Sequence, residues 1–162
     1  MHNPIPRTGI MLLVLLASAM TIAQTSPSSA AMPIAPPALG PVRYFSKDDV
    51  AASFAKGGTL VSEGNYKVMT AHRTDSGNVE VHRDFTDIFY IVQGSTNIVT
   101  GGKVVGEKAA NPAEPRGDSI EGGETHRLST GDAIVIPAGV PHWMKDVEGT
   151  LLYFVVKVKN AE

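Results

Sequence analysis

Cysteine is missing from all 162 residues, tryptophan occurs once, and aromatic side chains make up only 6% of the chain. A chain without cysteine has no disulfide to rely on, so its fold must be held by core burial alone. An excess of charge of one sign is lacking too: 14 Lys and Arg stand against 16 Asp and Glu, a net charge of −2. No cluster of Lys or Arg appears, which makes nucleic acid a poor partner. Long apolar runs are scarce, and the one near the start falls short of the roughly 20 residues that cross a bilayer.

That run has another explanation. Arg7 precedes an apolar stretch from Ile10 to Leu16 that continues through Ala23, and Thr21-Ile22-Ala23 before Gln24 has the small-residue character of a signal-peptidase site. Ala17-Ser18-Ala19 is a competing site. Residues 1–23 are therefore expected to be a signal peptide, with the mature protein periplasmic or secreted and without membrane contact after cleavage. No cysteine follows the run and only one arginine precedes it, which excludes a lipoprotein and speaks against twin-arginine export. Residues 24–41 are rich in Pro, Ser and Ala, a composition that builds no core and reads as a disordered linker. What remains, 42–162, has the size of one domain, roughly 120 residues.

Within it one segment reads as helix. Ser46 can cap it, Asp48 and Asp49 suit the positive end of its dipole, Val50, Ala51 and Phe54 give it an apolar face, and Gly57-Gly58 end it. Everything later reads as short strands punctuated by turns: 59–62, 66–72, 79–83, 88–92, 96–100, 103–105, 125–128, 133–136, 142–147 and 150–158. An irregular stretch holding Pro112 and Pro115 interrupts them between 106 and 119. About ten strands and one helix argue for an all-β barrel or sandwich.

The chemistry concentrates in two places. From Glu80 to Gly94 the chain reads EVHRDFTDIFYIVQG, with a carboxylate and a histidine two residues apart and a second carboxylate at Asp87. Residues two apart on a strand share a face, so Glu80 and His82 can converge on one point inside a barrel. From Gly131 to His142 it reads GDAIVIPAGVPH, with Asp146 four residues further on. Together they suggest a metal or polar-ligand site.

The two stretches resemble the paired motifs of the cupin superfamily. Gly131, Pro137, Gly139 and His142 match the second motif position by position, with Asp146 where the family has asparagine. His82, Asp87 and Gly94 match the first, but Glu80 stands where the first histidine belongs and Asp87 replaces a glutamate. The resemblance implies a cupin double-stranded β-helix, a jelly-roll barrel, with one short N-terminal helix. It further implies a divalent metal held by Glu80, His82, Asp87 and His142. Two imidazoles with carboxylates favour iron or manganese and leave zinc open; two carboxylates would also balance a divalent charge.

Other polar and aromatic residues lie close to these motifs. His72, near the Glu80 strand, is a candidate for acid–base work or else a surface histidine near a hairpin tip. His126 shares a face with Leu128 and is either a candidate catalytic residue inside the barrel, as an additional ligand or proton shuttle, or a histidine hydrogen-bonded at the rim. Arg73, Arg83 and Arg127 each follow a histidine and so are expected to point away from the interior into solvent. Trp143, next to His142, is assigned to packing or a subunit interface.

Two functions fit these features. One is an exported, metal-dependent cupin enzyme acting on a small organic molecule by dioxygenase, isomerase or lyase chemistry. The other is a non-catalytic module that binds a small ligand without metal. The resemblance also implies a homodimer through the outer sheet.

Overall fold

The computed structural model describes residues 40–161. The expected signal peptide and nearly all of the expected linker therefore lie outside the described residues. The helix forms where its cap is placed: α1 spans Lys47–Lys56, with Ser46 accepting from the Asp49 backbone while the Asp49 carboxylate accepts from the Ser46 backbone. Its one buried side chain, Phe54, packs edge-on against Phe154 with ring centroids 5.0 Å apart.

Ten strands follow: β1 (Gly58–Glu63), β2 (Tyr66–Arg73), β3 (Val79–Glu80), β4 (Phe85–Thr100), β5 (Lys103–Val105), β6 (Arg116–Gly117), β7 (Ser119–Glu121), β8 (Glu124–Ser129), β9 (Ala133–Ile136) and β10 (His142–Lys159). All pairings are antiparallel. β4 and β10 are long enough to serve both walls of the barrel. The second half of β10 pairs with β2 and the first half of β4, which in turn pairs with β9. The first half of β10 pairs with β3 and the second half of β4, which pairs with β8. Two sheets sharing two bent strands make the jelly roll expected from the sequence. Ile91, Ile98 and Leu151 are wholly buried between them, flanked by Leu128, Ile136 and Met144.

The expected breaks inside these long strands do not occur. Segments 88–92 and 96–100 are one strand of 16 residues, and 142–147 and 150–158 are one of 18. The glycines between them bend the chain without ending its pairing. Gly94 has φ +83°, and a Cβ there would lie 2.5 Å from the Thr150 carbonyl oxygen, so β10 crosses directly over this residue. In β10 the ladder slips between Lys145 and Glu148, and Asp146 sits there at φ 52°, the left-handed conformation that Asn and Asp tolerate best among non-glycine residues. Asn97 donates to the Asp146 carboxylate over 3.0 Å. The last residue of the second motif therefore shapes a bulge.

The strand expected over 79–83 pairs only through Glu80. Beyond it the Val81 and Arg83 amides donate to the carbonyls of Pro115 and Ala113, so the backbone is satisfied by the irregular stretch instead of a neighbouring strand. This peels the chain away just where His82 must turn inward.

Candidate metal centre

Three elements deliver the site. Glu80 ends β3, His142 begins β10 directly opposite it, and His82 follows on the segment that leaves the ladder. The Pro-Ala-Gly-Val-Pro corner before His142 is tied back to this segment, because the Gly139 amide donates to the His82 carbonyl over 2.8 Å. Gly139 has φ +79°, which a side-chain-bearing residue would adopt only with strain. The two imidazoles are thereby held with ring centroids 5.4 Å apart.

One ligand atom from each of Glu80, His82 and His142 lies within 4.8 Å of the others. The His82 Nε2 is 3.3 Å from Glu80 Oε2 and 3.6 Å from Asp87 Oδ2, and the His142 Nε2 is 3.8 Å from Asp87 Oδ2. The structure thus brings Glu80, His82 and His142 together, with the fourth expected ligand, Asp87, beside the two imidazoles. Both imidazoles and Asp87 are buried, while Glu80 is partly exposed.

The donor set suits a metal. His142 Nδ1 faces the Val140 carbonyl at 3.2 Å, and since a carbonyl only accepts, Nδ1 carries the proton. Its Nε2 lone pair is then directed at the cluster, buried and without any hydrogen-bond partner. Buried polar atoms are rarely left so, and a ligating imidazole anchored through its other nitrogen has this arrangement. Burial lowers the His142 pKa, outweighing the raising effects of the Val140 contact and of Asp87 and Glu80, so the ring stays neutral and able to ligate. His82 has a carboxylate at each end, with Glu114 Oε1 3.5 Å from Nδ1.

The charge balance differs from the expectation. Glu80 and Asp87 are not two free carboxylates awaiting a divalent ion. Arg116 forms a short ion pair with Glu80 Oε1, and Arg73 lies 3.8 Å from the same oxygen. Lys157 donates to both Asp87 oxygens over 2.8 Å. Burial would raise the Glu80 pKa, but the His82 hydrogen bond and the Arg116 charge lead the effects that outweigh it and bring it down to about 2.

Arg73 corrects a second expectation. Along β2, Met69, Ala71 and Arg73 face the cavity, while Thr70 and His72 face the helix. Arg73 therefore turns inward, where its Nε donates to the Tyr153 hydroxyl over 2.8 Å. His72 is exposed, with Nδ1 3.0 Å from the Phe54 carbonyl. His126 stands at the rim with its side chain 39% exposed, 3.8 Å from Glu124, and is not brought to the cluster although Leu128 is in the core. Arg83 and Arg127 lie on the surface, bonded to the Pro112 carbonyl and to Glu148. Trp143 packs as expected, donating to the Gly77 carbonyl.

Sequence reasoning missed Arg73, Glu114, Arg116 and Lys157. For Lys157 a signal was present: it shares parity with Leu151, Tyr153 and Val155, all buried, so an inward lysine was legible in an apolar strand. Arg116 and Glu114 come from the irregular stretch, where no periodicity exists to orient them.

A cavity of about 340 Å³ opens over the cluster, lined by Glu80, His82, Glu114, Arg116, Lys157 and Lys67 among others. A second of about 170 Å³ adjoins Glu80 on the side of Arg73, Asp87 and Tyr153. A larger one, about 480 Å³, lies between β8 and β9, is lined by His126, Arg127 and Asp132 together with aliphatic side chains, and touches none of the four expected ligands.

The sequence profile of the cupin family matches residues 67–162, and the chain belongs to that family. Among solved structures, a Bacillus halodurans protein superposes with a TM-score of 0.54 at 15% identity, over 76% of this chain and 86% of its own. Hydroquinone 1,2-dioxygenase from Sphingomonas sp. TTNP3 with 4-hydroxybenzoate bound gives 0.49 at 13% identity, covering 65% of this chain and 66% of that one. DMSP lyase DddQ from Ruegeria pomeroyi DSS-3 gives 0.46 at 16% identity over 66% of this chain, which spans only 48% of the lyase. No curated protein sequence matches.

Proposed function

We propose that this cupin holds one divalent metal ion at Glu80, His82 and His142, with Asp87 beside them, and acts on a small organic molecule. The observation that carries this is the buried, unpartnered His142 Nε2, fixed by its Nδ1 contact to Val140 and aimed at the other two donors. Imidazole and carboxylate donors together favour iron or manganese, with zinc next.

When bound, such an ion supplies Lewis acidity to a substrate oxygen. The chain's own groups do the rest. Arg116 and Arg73 keep the Glu80 carboxylate ionised and oriented. Lys157 holds Asp87 in place as an anion between the two imidazoles and the ammonium. With a metal at His82 Nε2 in place of its bond to Glu80, the ring proton would sit on Nδ1, where Glu114, 3.5 Å away at the cavity wall, could accept it and so orient that ring. The cavity over the cluster admits a small molecule to the open side, and 340 Å³ falls at the lower end of the ~300–1,000 Å³ typical of such sites.

The protein is proposed to work after export, its leader being residues 1–23; N-terminal sequencing of the protein recovered from a periplasmic or secreted fraction tests this, and an intact Met1 there would refute it. Elemental analysis of protein purified without a histidine tag or chelator tests the metal. Near-stoichiometric iron or manganese is expected in the parent and none in His142→Ala. A parent that stays metal-free after anaerobic reconstitution would overturn the proposal in favour of a barrel that binds its ligand directly.

A further inference from the structure

The ionic groups around the cluster do not balance. Glu80 is engaged by Arg73 and Arg116, and Asp87 by Lys157. Lys67 remains. It sits directly opposite Lys157 in the β2–β10 ladder and lines the same cavity as Glu80 and His82. Its ammonium lies 5.3 Å from the centre of the Phe85 ring, and among the described residues no carboxylate comes within ion-pair distance of it. Like charges placed directly opposite one another across strands are destabilising. Here two lysines are held so at the wall of a cavity, next to a third cation, Arg116. Glu114, the remaining carboxylate of the wall, is turned towards His82.

We propose that the substrate is an organic anion, a small molecule bearing a carboxylate that is met by Lys67, with Lys157 and Arg116 beside it, while its reacting end reaches the Glu80 and His82 side of the cavity. This rests on the function proposed above for the location of the chemistry, but not for the charge. Cations already outnumber carboxylates before any metal enters, and a divalent ion widens the surplus. A neutral substrate would leave that surplus in place within a partly enclosed cavity, where charge is weakly screened. A carboxylate removes it and relieves the Lys67–Lys157 repulsion at the same time.

Calorimetric titration of the purified protein, metal-free and metal-loaded, separates this from its alternatives. The probes are propionate, succinate and benzoate, each against its own amide, with methyl phosphate as a further arm. At least one carboxylate is expected to bind ten-fold or more tightly than its amide in both forms of the protein. Lys67→Met should cut that preference at least five-fold while the metal content is unchanged and the melting temperature is equal or higher, since a like-charge contact is removed. No preference for any carboxylate, or a preference that survives Lys67→Met, overturns the proposal. Tighter binding of methyl phosphate than of every carboxylate overturns it too, and assigns the anion as a phosphate. A protein that takes up no metal yet prefers carboxylates loses the metal centre and keeps the anion site; metal uptake without the preference does the reverse.

Discussion

Two cavities of this barrel make a useful contrast. The one between β8 and β9 is larger, about 480 Å³, and its wall mixes aliphatic side chains such as Leu128, Ile134 and Ile136 with Arg127, Asp132 and His126. The one over the candidate metal centre is smaller, about 340 Å³, and is ringed by lysine, arginine and glutamate. Both contain a histidine, but only that of the smaller cavity, His82, has a buried nitrogen without a hydrogen-bond partner, and the same is true of His142 in the cluster beneath it. Volume alone points away from the candidate metal centre. What distinguishes a site from a gap is polar groups brought together at a cost that only a bound species repays.

The strongest way to break the contrast is His142→Ala. It should cost metal affinity well beyond the ~10–100-fold typical of losing an outer partner of a ligand, with the far-UV circular dichroism of a folded barrel retained. Metal uptake equal to the parent would show that the unsatisfied nitrogen is not a ligand. Next in size is Asp87→Asn. It leaves the Lys157 ammonium, 13% exposed, without its counter-charge, and urea unfolding should report a loss of about 3–5 kcal/mol. A loss below 1 kcal/mol would mean that water reaches Lys157.

The pH dependence of the metal-free protein should follow the same groups. His142 has a depressed pKa when folded, so its contribution to stability is present above about 6.5 and is lost as pH falls below that value. Glu80, carried down to about 2, contributes above its ordinary carboxylate range and loses that contribution as pH falls towards 2. Thermal melts between pH 8 and pH 3, starting from metal-free protein, should therefore fall in two stages; a flat profile through pH 6 would contradict the neutral, buried His142. The smallest effect belongs to the other cavity. His126→Ala should leave metal content unchanged and shift stability within ±0.5 kcal/mol, and any change in metal affinity would show that the two cavities communicate.

Much of this was legible in the chain, for identifiable reasons. α1 was readable because capping is local chemistry: Ser46, Asp49 and Gly57 act on their own neighbours. The expected ligands were readable because two short motifs hold them at fixed spacings. The charged wall was not. Arg73 faces the cavity because β2 is covered on its other face by the helix, a fact of packing that alternation alone does not carry. The continuity of β4 and β10 was hidden by Gly94 and Gly149, since glycine marks a bend as readily as an end. His126 shows the limit of parity: sharing a face with a core leucine fixes direction but not depth, and at the rim the same direction leads to solvent.

The bond from the Gly139 amide to the His82 carbonyl joins the two motifs without involving the residues between 106 and 119. Those residues nonetheless contribute Glu114 and Arg116 to the cavity wall. They also accept from the Val81 and Arg83 amides on either side of His82. The loop is thus a wall and a splint at once: recomposing it to admit a different guest would also reset one of the two imidazoles, while His142, tied to Val140, keeps its place.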